Sequence, residues 1–278
     1  MRWFRKPAEV VSDAAASGIA PEPLEVTFDK EILGSKLSSL RGAIAEAGGV
    51  DGLETFIEAL RSKHEVFAAI VAKGDEIDAE DVRTLGGLVF SVRRKLVTLM
   101  AERQGALVDG VRALVRPDVD VNARLAAFAD LAADDKKLRR AIWDFGAEIL
   151  HFADPEAVPL ACRWVWDTST TTGSLREFIR ANDTLRSIPI GDSVAALEGA
   201  RRWFYEALAE EGFYRDLPFV TDLVWVQAYS DYARALSMSL GMIDNQFGGK
   251  QDPLELAVKM LGIDSAEGRL KGTDASLH

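Results

Sequence analysis

Cysteine is nearly absent from this 278-residue chain: Cys162 is the only one, so no internal disulfide can form. A lone thiol fits a reducing compartment. Histidine is scarce too, with three in all. One cysteine and two internal histidines, His64 and His151, cannot supply a structural zinc site. Long apolar runs are missing, since nothing approaches the ~20 residues needed to cross a bilayer. The opening "MRWFRKPAEVVSDAAASGIA" is basic at its start but lacks the apolar stretch of a secretory signal, because Glu9, Ser12 and Asp13 interrupt it. A cytoplasmic protein is the expectation. Positive charge is in deficit. A formal net charge of −11 repels a phosphate backbone unless basic residues are strongly segregated. The densest internal basic run, Arg93-Arg94-Lys95, lies on a periodic helix and reads as a solvated face. Nucleic acid is therefore not expected as a partner.

Strand signals are the next absence. Nowhere do apolar and polar residues alternate between hairpin turns, so no sheet is expected. What is present is helical period. Leu33, Leu37, Leu40 and Ile44 form one stripe, closed by Gly48-Gly49. Leu53, Ile57, Leu60, His64, Phe67 and Val71 form a second, ended near Gly74. Asp78 caps a third helix striped by Val82, Leu85, Val89, Val92, Leu96 and Leu99. A short segment through Leu107, Val111 and Leu114 reaches Pro117, followed by Leu125 to Leu131 and then by Leu138, Ile142, Phe145 and Ile149. The fold class is all-α, a packed multi-helix domain of about nine to ten helices.

The second half carries clearer punctuation. Asp154-Pro155-Glu156 predicts a helix over about 155 to 166, with proline at its first position. "SLRE" at 174 to 177 is a capping box for a helix to about 186. Asp192 or Ser193 opens a helix running to Gly212, and Asp216 opens one running to Gly241. "DPLE" at 252 to 255 starts the last. Residues 1–28 read as a flexible lead-in, 29–263 as the helical domain with any subdivision near 117–135, and 264–278 as a flexible tail. Arg2, Trp3, Phe4, Arg5 and Lys6 could touch a membrane, but Pro7 stops that element too early to anchor, so membrane contact there is disfavoured.

Catalytic signatures are lacking as well. Glu148-Ile-Leu-His151 is half of a di-iron E-x-x-H pair, and no second half exists, since Arg61 stands three positions before His64. His64, on an apolar stripe, reads as a hydrogen-bonded core histidine. A Cys162/His151 dyad remains conceivable, although a buried inert cysteine is the commoner case. No G-x-S-x-G, Walker A or dinucleotide fingerprint occurs, and "FGGKQD" at 247 to 252 lacks the upstream glycine and the Ser/Thr of a P-loop. The "TSTTTGS" loop could hold an anion at a helix N-terminus, but such loops are more often polar linkers. No cofactor and no metal are expected, and whether the chain is an enzyme stays open.

Against these absences stands one enrichment. Five of six tryptophans lie between 143 and 225, and all four tyrosines lie between 205 and 232. From Leu138 to Gly249 there are ten arginines and no lysine. Arginine offers a planar fork that pairs with carboxylates and stacks on rings, and it is cheaper to dehydrate than an ammonium. Arg201 occupies a core-facing slot among Val194, Leu197, Phe204 and Leu208, with Asp183 or Asp222 as expected partners. Asn182 shares a face with Leu175 and Phe178. Asp222, Trp225, Tyr229 and Tyr232 share another. Either these groups pair with one another and specify the fold, or they form a site.

Two functions follow as expectations. The first is a non-catalytic accessory or scaffold protein that binds a protein partner through Arg163, Trp164, Trp166, Asp167, Asn182, Arg201, Asp222, Trp225 and Tyr229. It requires exposed tryptophans in one patch. The alternative is a small anionic ligand held in a pocket within residues 150–235, which requires converging polar groups around a cavity.

Overall fold

A computed structural model describes residues 18–46, 52–239 and 253–264. The expectations for the anchor at residues 2–6, the cap at Asp252, the "FGGKQD" stretch, most of the lead-in and the tail beyond 264 lie outside the described residues. Among the described residues there are ten α-helices and no strand longer than an isolated bridge. They are α1 Lys30–Glu46, α2 Leu53–Val71, α3 Ala79–Gly87, α4 Phe90–Arg93, α5 Leu96–Val115, α6 Val121–Ala129, α7 Lys136–Ala153, α8 Val194–Glu210, α9 Leu217–Ser239 and α10 Pro253–Met260. The all-α fold is as the periodicity requires.

The chain divides into two compact units. One comprises Met1–Ile57, Glu156–Pro159 and Arg163–Ala257, and the other Glu58–Pro155, Leu160–Cys162 and Val258–His278.

In the first unit, α9 packs on α1, on α8 and on the short 3-10 turn Ser174–Phe178. Leu33, Leu37, Leu40 and Ile44 of α1 are all buried, the expected stripe. Asp29 caps this helix by accepting from the Glu31 and Ile32 amides, and Arg180 reaches across to the same carboxylate. The centre is aromatic. Phe204 meets Phe178 at 4.7 Å between ring centroids, Trp203 at 5.0 Å, and Phe28 and Trp225 at 5.5 Å each. Tilted and edge-on rings of this kind add to the burial they share.

In the second unit the stripes of α2, α5, α6 and α7 close around Leu60, Phe67, Val111, Leu125, Phe128, Phe145 and Phe152. The caps follow the sequence. Asp78 and Asp81 form a reciprocal capping box at α3, and Asp120 and Asp135 accept from the first-turn amides of α6 and α7. Each carboxylate satisfies amides that lack an intrahelical partner.

Three expected helices differ. The stripe from Val82 to Leu99 is not one helix, because α3 stops at Gly87 and Val89 is extended before α4 and α5 resume. The weak helix former pair Gly86-Gly87 sits at the break, and the bare Gly86 backbone lets the Leu96 side chain pack directly against it. The helix expected over 155 to 166 does not form. Pro159, five residues in, lacks the N–H that a second turn needs. Instead the chain runs irregularly, with Trp143 donating its indole N–H to the Ala161 carbonyl at 3.0 Å. The helix expected over 174 to 186 shrinks to 3-10 turns at Ser174–Phe178 and Asn182–Thr184. Ser174 does not cap; its hydroxyl goes to the Val165 carbonyl. Gly173, at φ 130°, lies so close to the Val165 carbonyl that a side chain there would collide with it.

Candidate functional site

The region from 154 to 193 is held as a built loop rather than as helices, and arginine is what holds it. Arg176 donates to the carbonyls of Thr171 at 2.8 Å and Asn182 at 2.7 Å, with a longer contact to Leu185 at 3.5 Å. Asn182 answers by donating its side-chain amide to the Arg176 carbonyl at 2.9 Å. One rigid fork thus closes a turn whose carbonyls have no helix to accept from. A lysine could not span three diverging acceptors in this way. The lysine-free composition of this stretch has a structural cause here, and Arg176 is the residue that a reading by helical stripes missed.

Arg163 pairs with Asp167, and both are partly buried. Asp167 also accepts from the amide and hydroxyl of Ser169, at 3.1 and 2.6 Å. Partial burial pushes its carboxyl up, but the Ser169 hydroxyl and the Arg163 guanidinium together outweigh that and hold it below the ordinary carboxylate value. The threonine hydroxyls turn on one another, with Thr170 and Thr172 at 2.7 Å. Thr168 faces the Asp192 carboxylate at 3.5 Å, so this loop presents acid rather than an anion cradle.

The tryptophans divide. Trp166 is buried and donates to the Ile190 carbonyl at 3.1 Å, and Trp225 is fully buried against Phe204. Trp164 and Trp203 are half-buried. Trp164 meets Tyr229 edge-on at 6.0 Å, and Tyr229 meets Tyr232 at 6.1 Å, so three half-buried rings continue along α9.

Arg201 is in the interior, 2% exposed, as its slot requires. It takes an ion partner that the stripes did not suggest. Glu198, one turn earlier on α8, meets the guanidinium at 2.6 Å, and the Glu156 carbonyl accepts from it at 2.8 Å. Asp183 lies exposed in its 3-10 turn because the helix that would have aimed it inward does not form. Glu198 is shared, since Arg202 also pairs with it at 2.9 Å. Tyr205, one turn beyond Arg201, is buried in the same cluster. Burial drives its phenol well above the ordinary value of 10.0; the Arg201 charge opposes this, while Glu156, Asp222 and Glu198 reinforce it. Asp222 is buried as well. The Tyr205 hydroxyl, the Thr221 hydroxyl and the Trp225 indole N–H are buried without a hydrogen-bond partner among the described residues.

The nine residues marked by the sequence therefore fall into three groups. Arg163, Trp164, Asp167 and Tyr229 lie on or near the surface, with Trp166 beneath them. Asn182 belongs to the Arg176 turn. Arg201, Asp222 and Trp225 are interior. A cleft of about 290 Å³ in this unit, between the Glu22–Glu25 segment and Pro189, Ile190 and Gly191, is lined by none of the nine, although Trp166 bonds the Ile190 carbonyl. Glu22 already accepts from the α8 cap, Ser193, at 2.6 Å.

In the second unit, Glu148 of the E-x-x-H is engaged by Lys63 at 2.6 Å. No set of three or more His, Cys, Asp or Glu side chains converges on one point among the described residues. The His64 ring nitrogen Nδ1 meets the Phe152 carbonyl at 2.8 Å. Cys162 is buried, with its thiol directed at the Asp144 carbonyl.

Compared with known proteins, the chain matches no family model, no curated sequence and no solved structure.

Proposed function

We propose that this chain is a non-catalytic helical binding protein whose partner is another protein, docked on the aromatic strip of α9. The observation that carries the reading is the run of three half-buried rings in which Trp164 of the loop meets Tyr229 of α9, and Tyr229 meets Tyr232 one turn on. Half-exposed Trp and Tyr supply large contact area at small entropic cost and dominate interface energetics. Arg163 flanks the strip with its fork already oriented by Asp167. Trp166 and Trp225 are core and take no part.

A photo-crosslinking residue in place of Tyr232 tests this, with Glu206, exposed on α8, as the control position. A discrete protein adduct at 232 that is missing at 206, and that Trp164→Ser abolishes, is the expected result. The same adducts at both positions, or none at 232, would overturn it.

A second reading rests on a different observation, the buried donors of Tyr205, Thr221 and Trp225 that lack acceptors among the described residues. Buried donors ordinarily find partners. A small anionic molecule rich in acceptor oxygens would satisfy them, with Arg201 nearby. Thermal shift against phosphate, sulfate and small carboxylates separates the two, because a native-state ligand stabilises in proportion to the logarithm of its concentration. Stabilisation that Tyr205→Phe removes favours the ligand; no stabilisation by any of these anions removes it.

A further inference from the structure

The second unit gathers positive charge that the sequence scatters. Arg94 and Lys95 follow α4, while Lys136, Lys137 and Arg140 stand in the first turns of α7. Forty residues separate the two groups. The fold joins them, because α4 packs on α7 and the Ser91 hydroxyl donates to the Ala141 carbonyl at 3.1 Å. Lys137 is one helical turn before Ala141 and so lies on the same face. The Asp135 carboxylate registers the junction. It is held below the ordinary value first by the Leu138 and Lys137 amides that it caps, and further by the charges of Lys95 and Lys137 together.

All five cations are exposed, and none makes an ion pair among the described residues. The acids nearby are engaged elsewhere. Asp130 pairs with Arg139 at 2.9 Å, Asp134 with Arg103 at 3.3 Å, and Asp264 with Arg93 at 2.7 Å. Asp135 feels the charges of both Lys95 and Lys137, so positive charge from the two groups meets here on a chain whose net charge is −11. Two residues after Lys95, Val97 is 83% exposed, the most exposed large apolar side chain described. Unpaired like charges packed together repel one another, and an arrangement of this kind is relieved by an anionic partner.

We infer that this patch is a second interaction surface, built to take an acidic segment of a protein that carries an apolar residue for Val97. The occupant is chosen by charge. Outside the patch the chain is more acidic still, and screening confines the patch's attraction to about 8 Å at physiological salt. A short Asp/Glu-rich segment can be covered within that reach. A nucleic acid duplex, with a phosphate charge every ~1.7 Å of its axis, or an anionic bilayer extends far beyond it and meets repulsion. This surface does not depend on the aromatic strip of the first unit, and neither proposal's failure bears on the other.

The test uses the full chain and a fluorescein-labelled glutamate-rich peptide containing one leucine, titrated by fluorescence anisotropy. Binding is expected at about 50 mM salt and should weaken about tenfold or more by about 200 mM. Lys95→Glu/Lys137→Glu should abolish it with an unchanged melting temperature, since both side chains are exposed; Lys95→Ala/Lys137→Ala replaces the reversal if that unfolds. Arg215→Glu, an exposed cation of the first unit, should bind within about twofold of the parent. No binding at low salt, or equal loss in Arg215→Glu, overturns the inference. So does tighter binding to phosphatidylserine vesicles or to a DNA duplex than to the peptide. Concentration-dependent self-association that the charge reversal abolishes would assign the surface to a second copy of this chain and overturn it equally.

Discussion

Lys63 and Glu148 meet at 2.6 Å with their side chains 2% and 4% exposed, an ion pair sealed inside the second unit. The ammonium also donates to the Leu261 carbonyl at 2.7 Å and sits 3.9 Å over the Phe152 ring. It thereby ties the end of α10 to α2 and α7. Gly262, at φ 67°, lies so close to the Leu88 carbonyl that no side chain fits between them.

Removing one member strands the other as a buried charge. Lys63→Met should cost about 3–5 kcal/mol in chemical denaturation, and Glu148→Leu a similar amount. Lys63→Met together with Glu148→Leu should recover most of the loss, since an apolar pair of similar volume carries no desolvation penalty. Strictly additive losses in the double variant would mean that the two charges do not depend on each other.

Arg201→Ala should cost on the order of 3 kcal/mol, at the lower end for a buried pair, because Arg202 continues to neutralise Glu198. Arg201→Lys should lie between, as an ammonium cannot reach both Glu198 and the Glu156 carbonyl. Equal stability of Arg201→Lys and the parent would show that the two-pronged contact is dispensable.

Arg176→Ala should open the turn at 171–185, leaving carbonyls without donors at about 1–3 kcal/mol. Arg176→Lys should rescue little of it. Hydrogen exchange over 180–187 provides the measurement. Protection unchanged in both variants would refute the role assigned to this fork.

Tyr205 predicts the alkaline limb of stability. A phenol whose folded pKa is raised keeps its proton after the unfolded chain has lost it. The stabilisation is therefore complete below the unfolded value near pH 10 and is lost as pH climbs from there towards the folded pKa. One of the four tyrosines should ionise only with unfolding, seen as a late step in ultraviolet absorbance that Tyr205→Phe deletes. Tyr205→Phe should also match or exceed the parent at neutral pH, because the hydroxyl it removes has no partner among the described residues. A clear loss of stability at pH 7 would reveal a hydrogen bond to an ordered water or ligand.

Local chemistry was legible along most of the chain. The stripe of α1, the caps at Asp78 and Ser193, the core position of Arg201 and the absence of sheet all follow from period and capping, because each is settled within a few residues. Lys63 could have been found in the same way, since it stands at i+3 from Leu60 and i−4 from Phe67 on the buried stripe of α2.

Other features needed residues far apart in sequence. Between 154 and 193, capping signals at Pro155 and Ser174 promise helices. Pro159 removes the amide of one, and tertiary partners, the Val165 carbonyl for Ser174 and the Thr171 and Asn182 carbonyls for Arg176, outbid the other. Which carboxylate Arg201 takes was likewise decided by packing, once Asp183 had lost the helix that would have turned it inward. The gathering of Lys95 with Lys137 is of the same kind. Sequence set the charges and the helices that carry them; only the packing of α4 on α7 put them side by side, because like charges never attract and apolar contacts beneath must hold them there.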